Sequence, residues 1–510
     1  MPVISPKRWL ILTAVMLAFL PVVIDMTILH IAVPSLTQAL KASSTEVLWI
    51  IDVYPLLMAG LLVPMGTLAD RLGNRRLLLI GLTVFGLASL LAAFSQTPAM
   101  LISARMLLAL GGSMIMPCVL GIVRRTFEDE RERAMALGIW GTVSAAGAAV
   151  GPLVGGALLE HFWWGSVFLI NVPLMALVIP VAFVLLPRAE ASGSGEWKVG
   201  QAAMLIAGII AVVYAIKAGI GATTSWVAIV AIMLVGLVLL SLFVRKQLHS
   251  STPMLDLALF AHPAILAGIV MALFVTGALA GVELTLAMEL QYVLDKTPLQ
   301  AGIFMIPIMV AAAVGGPVAG FLSNLFGLRL VASLSLAVSA GSLLLLPFVG
   351  FQHASLIVPL LLAVLGLALS IGLTASSIAI MGAVDATKGA AAGSLEATAY
   401  ELGSGLGITF FGVFMSSVFS RSLSLPTELD PALAARAAKS IGDSYVVADE
   451  LLSGQAAAVI EAAKVAFSST TSILLSMCAA LLGLLAVAVF VLLKNYRRPG
   501  GDDTVIASGR

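Results

Sequence analysis

Six carboxylates, Asp25, Asp52, Glu283, Glu289, Glu396 and Glu401, and one guanidinium, Arg105, stand inside or at the edges of long apolar runs. A charge at the centre of a bilayer costs at least ~2.5–3.5 kcal/mol on insertion scales, so such groups usually line a cavity or pathway. At ~1.5 Å per helical residue, Asp25, Asp52 and Arg105 fall in one layer toward one membrane face, and Glu401 falls near the midplane. A nearby arginine favours the charged form of a carboxylate, while desolvation disfavours it. Asp25 and Arg105 are therefore expected to form a pair whose strength changes with protonation. A protonated Asp25, Asp52 or Glu401 cannot hold a cation, so these acids with Arg105 are the candidates for exchanging a proton for a positively charged cargo. Glu396 lies roughly 140° round the helix from Glu401, so one face cannot present both, and Glu396 reads as a helix-end, gating or second cargo-facing residue. Glu289, next to Gln291 and Tyr292, reads as a solvated rim, and Glu283 as part of the mouth or the cavity.

These groups need spans to position them, and composition supplies them. Of 510 residues, 60% are hydrophobic and 10% charged, against about 25% charged in soluble domains. Apolar stretches of about 20 residues cross a ~30 Å core as helices. Fourteen are expected: 9–33, 47–68, 77–96, 98–123, 134–159, 165–187, 200–220, 225–244, 263–290, 298–322, 330–350, 354–381, 390–420 and 466–493. The fold class is all-α. It divides into an N-terminal six-helix bundle (1–187), a linker (188–199), two inserted helices (200–244), a loop (245–262) and a C-terminal six-helix bundle (263–493). Within the last, the long loop 421–465 has the spacing of two short amphipathic helices folded over the outer mouth, and 494–510 is a polar tail. Most lysines and arginines fall in loops on one side, whereas the short loops of the other side hold Lys41 and Lys296. This asymmetry puts both termini in the cytoplasm. Lys217, near a span end, is expected to snorkel outward, and His30 to be a hydrogen-bonded bystander.

The formal charge of +1 and the two cysteines exclude a nucleic-acid binder and a disulfide scaffold. The sequence contains no His-Glu-x-x-His, no Gly-x-Ser-x-Gly and no nucleotide-binding loop, which argues against a membrane-embedded hydrolase and a self-contained ATP-driven pump.

Gly66-Thr67-Leu68-Ala69-Asp70-Arg71-Leu72-Gly73-Asn74-Arg75 recurs, 254 residues on (320 − 66), as Gly320-Phe321-Leu322-Ser323-Asn324-Leu325-Phe326-Gly327-Leu328-Arg329. Each copy joins the second and third spans of a six-span block, the pattern of a transporter built from repeats with its site at their interface.

With that repeat, the chain resembles the fourteen-helix drug:proton antiporter branch of the major facilitator superfamily. Asp25 to Pro34 resembles the first-helix signature and Gly66 to Arg76 the loop 2–3 signature. Gly138, Gly147, Gly151-Pro152 and Gly155-Gly156 match the antiporter signature of helix 5. Pro253 to Leu257, Gln291 to Pro307 and Gly389 to Gly407 carry further likeness. The last stretch, with Tyr400-Glu401, is most similar to that of quaternary-ammonium and methyl-viologen resistance pumps. Helix 4 keeps Arg105 but has Leu108 and Ala109 where the branch usually has Gln and Gly. Trp164-Gly165-Ser166 precedes Asn171-Val172-Pro173 in a reduced form of the helix 6 signature, and Asn324 replaces the acid of the second loop copy.

The resemblance implies two six-helix bundles plus two inserted helices in the bacterial cytoplasmic membrane, acting as a monomer. It implies proton-coupled efflux of hydrophobic mono- and divalent cations by alternating access, with no cofactor, no metal and no nucleic-acid partner. Cargo contacts are expected from Asp25, Asp52, Glu283, Glu396, Tyr400 and Glu401. Met26, Trp140, Phe274, Phe304, Met305 and Met309 are expected to form a soft wall, because aromatic faces attract quaternary ammonium groups and thioethers adapt to shape. Conformational gating is assigned to Asp70, Arg71, Gly73, Arg75, Gly147, Gly151, Pro152 and Gly155. Export of an endogenous metabolite (a lipid, siderophore or amino-acid derivative) is the rival within transport.

Overall fold

The computed structural model describes residues 6–127, 129–186, 198–219, 225–250, 253, 257–351, 356–383, 389–426 and 429–495. Among them lie fourteen spans long and apolar enough to cross a membrane, and no strand. The expected linker 188–199 and tail 494–510 fall mostly outside the described residues, as do Met254 to Asp256 of the helix 9-flanking signature.

The first bundle contains α1 (Pro6–Leu40), α2 (Ser44–Leu72), α3 (Asn74–Ala93), α4 (Pro98–Thr126), α5 (Glu130–His161) and a broken sixth span, α6 (Ser166–Leu169) with α7 (Asn171–Leu185). Two inserted helices follow, α8 (Val199–Ala218) and α9 (Trp226–Leu248). The second bundle contains α10 (Pro263–Met288), α11 (Pro298–Phe326), α12 (Leu328–Val349), α13 (Ile357–Met381) and α14 (Gly389–Ser422). The short α15 (Pro431–Ala437) and α16 (Ile441–Ala448) then lead into the last span, α17 (Ser453–Leu492).

Local chemistry sets these boundaries, and it repeats. Ser43 and Glu46 form a reciprocal capping box at the start of α2, and Thr297 and Gln300 form the same box at the start of α11. Each box satisfies amide groups that the first helical turn leaves open. At the other end of those two helices, Gly73 (φ +87°) and Gly327 (φ +83°) adopt the positive φ that ends a helix without a Cβ penalty. Both pairs keep the 254-residue offset of the sequence repeat.

The short α15 and α16 lie on one face of the molecule, here the capped face; the arginine-rich ends of α2, α4 and α9 lie on the opposite, basic face. Asp430 and Ser440 cap α15 and α16 through their side chains. The long segment 421–465 therefore holds two short helices, but α17 begins at Ser453, well before the expected 466, because its helix continues out of the apolar span. Tyr445 on α16 donates to the Tyr292 carbonyl at 2.7 Å, and Gly442 packs against Thr37 of α1, so the cap rests on both bundles.

The bundles meet through α1 with α10, α2 with α14, and α5 with α11. Close contacts gather in the capped half. A Cβ on Gly156 would lie 2.7 Å from the Pro298 carbonyl oxygen and the Leu299 Cα, and one on Gly302 would lie 2.7 Å from the Pro152 carbonyl oxygen. Toward the basic face, a Cβ on Gly138, Gly141 or Gly320 would meet no described atom within 4 Å. Among the described residues, these tight backbone contacts between the bundles lie in the capped half.

Candidate functional site

Asp25 and Arg105 do meet. The Arg105 guanidinium donates Nη1–H to Asp25 Oδ2 and Nε–H to the Ile50 carbonyl at 3.1 Å, tying α4 to both α1 and α2. Both side chains are buried. The guanidinium also lies over the Tyr54 ring (4.5 Å) and near the Phe168 ring (6.0 Å). Asp25 Oδ1 has no hydrogen-bond partner among the described residues. Asn171 flanks Asp25 and donates to Ser89 at 3.3 Å. Asn171 begins α7, so the break in the sixth span is what brings a polar amide to this depth.

Tyr54 joins this group to the second bundle. It lies within electrostatic reach of Asp25, Arg105 and Glu401. Glu401, on α14, is 3% exposed, and its Oε2 has no described hydrogen-bond partner; nor has the Tyr54 hydroxyl. Two acids, a tyrosine and an arginine from four helices thus surround unsatisfied oxygens at the bundle interface. Buried polar atoms without partners cost free energy, which a cation or a proton arriving there would recover.

Asp52 belongs elsewhere. It starts about eight residues below the capped end of α2, ~12 Å deep, and its partners are Lys217 on α8 and Thr409 on α14. Lys217, expected to snorkel outward, is instead 4% exposed and ion-paired. Glu289, expected on a solvated rim, is buried in a π-turn after α10 and accepts from Thr471 at 2.7 Å.

The remaining acids form separate bridges. Glu283 Oε2 is 3.3 Å from His30 Nδ1, across α10 and α1, although the atoms are not aligned for a hydrogen bond. About two turns further along, Gln291 donates to the Ile31 carbonyl at 3.1 Å. Glu396 accepts from Tyr400 on its own helix, where Tyr400 packs beside a cluster that includes Val63, Phe243 and Leu259. Glu396 and Glu401 thus face different neighbours, as the helical period requires.

The expected soft wall is scattered. Trp140 packs its ring 5.6 Å from Phe19, Phe304 packs 6.4 Å from Phe351, and Met305 and Met309 are buried on α11. Met26 is half-buried on α1. Phe274 lines a crevice of ≈230 Å³ between α10, α14 and α17, with Phe410 and Phe411. The aromatic rings facing the Arg105 guanidinium are Tyr54 and Phe168, which no sequence motif singled out; Asn171 flanks Asp25, while Lys217 and Thr409 hold Asp52 separately.

Among the gating candidates, Gly147, Gly151 and Gly155 press α5 onto α1: added Cβ atoms would meet Val23 at 3.1 Å, the Ile24 carbonyl at 3.2 Å and Ile28 at 2.6 Å. Thr27 donates to the Ala148 carbonyl in the same seam at 3.0 Å, and Pro152 faces α11 through Gly302. Asp70 and Arg71 are exposed at the basic end of α2, and Gly73 makes the turn. Arg75 donates to the Phe183 carbonyl within its own bundle.

Comparison with known proteins places this geometry in a family. Residues 15–286 match the model described as Major Facilitator Superfamily. The chain is 46% identical to the methyl viologen resistance protein SmvA of Salmonella typhimurium, over 96% of this chain and 100% of that protein. It is 35% identical to the multidrug efflux pump LfrA of Mycolicibacterium smegmatis, over 91% and 92% of the two chains. The crystal structure of a bacterial homolog of the human lysosomal transporter Spinster, inward-facing and unoccupied, superposes with a TM-score of 0.65 at 18% identity, covering 96% of this chain and 98% of that one, which speaks to fold alone. The chain belongs to the major facilitator superfamily: it is a multi-pass membrane transporter, not an enzyme.

Proposed function

We propose that this transporter exports hydrophobic mono- and divalent cations (quaternary ammonium compounds, cationic biocides, dyes and viologens) in exchange for protons, across the bacterial cytoplasmic membrane. The observation that carries the reading is Glu401: a buried carboxylate with a free oxygen, placed between the bundles beside Tyr54 and the Asp25–Arg105 pair. A lipophilic cation entering there gains a counter-charge and an aromatic face in place of water. The names of the relatives, a methyl viologen resistance protein and a multidrug efflux pump, support the same cargo class.

In this reading the basic face is cytoplasmic, as its arginines favour, and the structure is the inward-facing state of a monomer. Cargo reaches Glu401 and Asp25 from the basic side. The bundles then rock, the capped face opens, and protonation of the acids releases the cation. Exchange of one proton for one monovalent cation moves no net charge, so the pH gradient drives it. A higher proton ratio adds ~2.3 kcal/mol per charge per 100 mV.

The test is efflux of ethidium and methyl viologen from energised membrane vesicles, with and without a protonophore. Efflux should stop when the proton gradient collapses. Continued efflux without a gradient would sink the coupling, and no efflux of either cation would favour a metabolite cargo.

A further inference from the structure

Lys217 is the next-to-last residue of α8 and carries a positive charge into a dry place. Its ammonium reaches both oxygens of Asp52, Oδ1 at 2.8 Å and Oδ2 at 2.7 Å, and lies 3.7 Å from the centre of the Trp49 ring. From the other bundle, the Thr409 hydroxyl donates to Asp52 Oδ2 at 2.6 Å. Below this junction, Leu56 of α2, Ile209 and Val213 of α8, and Leu402 and Leu406 of α14 form an apolar cluster that keeps water away. One carboxylate is therefore held by all three parts of the molecule.

The two legs differ in what motion does to them. Opening the capped face must separate α14 from α2 there, which breaks the Thr409–Asp52 bond. The Lys217–Asp52 pair joins α2 to α8 and does not cross between the bundles, so it can survive the opening. A lone buried carboxylate would be strongly unfavourable, and removing one partner of such a pair leaves that charge uncompensated.

We propose that Lys217 is a positioning residue for the capped-face seal: its counter-charge keeps Asp52 buried as the acceptor of Thr409, which makes the inserted helix pair part of the gate. The proposal rests on the alternating-access reading above. It gives the α8–α9 pair a role in the transport cycle and sets Asp52 apart from the cargo-facing Asp25 and Glu401.

The experiment is a double-mutant cycle on Lys217→Met and Thr409→Val, read by the distance between spin labels at Gln96 and Leu356, both exposed near capped helix ends of opposite bundles. It uses full-length, cargo-free protein. Thr409→Val should raise the open-to-closed ratio of that face roughly 10-fold or more, as loss of a hydrogen bond to a charged group implies. Lys217→Met should raise it comparably, the double variant should add little to either, and Lys217→Arg should stay near the parent. Additive effects, or an unchanged ratio in Lys217→Met, would overturn the proposal. Should Lys217→Met not be recovered folded, Lys217→Gln, which keeps a donor but no charge, serves in the same cycle. Failure of cation efflux with the cycle intact would count against the cargo reading and leave the seal standing.

Discussion

Arg75 and Arg329, 254 residues apart (329 − 75), close the same joint in the two bundles. Each donates to the carbonyl of a phenylalanine near the end of its bundle's last span, Phe183 at 2.5 Å and Phe490 at 2.7 Å. Each guanidinium also lies over that ring, at 5.0 and 3.7 Å. The repeated loop arginine is thus a staple inside a bundle. Replacing either by Ala should lower stability by about 1–2 kcal/mol, the sum of a hydrogen bond and a partly exposed cation–π contact. Thermal melting in detergent checks this. A shift in the open-to-closed ratio with no loss of melting temperature would instead make the residue a latch between bundles.

The Asp25–Arg105 pair predicts an asymmetry. Arg105→Ala strands a buried carboxylate and leaves the Ile50 carbonyl without its donor, so it should cost about 3–5 kcal/mol of stability. Asp25→Asn keeps the shape and should fold, yet lose at least ~90% of gradient-driven efflux, since it removes a titrating group. Vesicle efflux beside melting curves separates the two. A fully active Asp25→Asn would mark the pair as structural.

Glu401→Gln should distinguish cargoes by charge. Losing one carboxylate weakens a dication more than a monocation, so methyl viologen efflux should fall at least ~10-fold relative to ethidium efflux, equivalent to ~1.4 kcal/mol of differential binding. Equal losses for both would assign Glu401 to proton coupling rather than to cargo.

Gly156→Ala and Gly302→Ala test the closed end. Their methyl groups would meet backbone atoms at 2.7 Å, and backbone cannot yield as a flexible side chain can. Both variants should favour opening of the capped face, seen as longer label distances between Gln96 and Leu356. Gly138→Ala, with open space around it, should leave those distances at parental values.

The cap offers a pH prediction outside the spans. Burial raises the Asp443 carboxyl, against hydrogen bonds from Ser440 and Ser44 that lower it. A raised folded pKa means that its contribution to docking is complete below the unfolded value near ~3.9 and is lost as pH rises through the folded one. Amides of α16 should therefore exchange hydrogen more slowly at mildly acidic pH than at pH 8, after correction for the intrinsic rate. Glu450 opposes this, because hydrogen bonding from Arg436 lowers its pKa, so its contribution fades as pH falls. That pair is fully exposed and screened by salt, so the measurement belongs at high ionic strength. Asp443→Asn should flatten the profile; an unchanged profile would exclude Asp443 as its source.

The sequence by itself determined the class of molecule and the number of spans, and it singled out the acids that stand within them. Hydrophobic length, lysine and arginine placement and the repeated loop are local or additive signals, and the cost of placing Asp25 or Glu401 among apolar residues is the same wherever the chain folds. Depth along a helix was also enough to pair Asp25 with Arg105. Tertiary structure decided the partners of everything else. Lys217 looked free to reach outward because its surroundings, Trp49 and Asp52 of α2 and Thr409 of α14, arrive from two other stretches of chain. Glu289 looked like a rim residue until Thr471 of the last span closed over it. Tyr54 carries no motif, and only the crossing of α2 with α4 and α14 puts its ring against Arg105 and within electrostatic reach of Glu401. Burial and charge pairing depend on which helices touch, and that is set by packing across the whole chain.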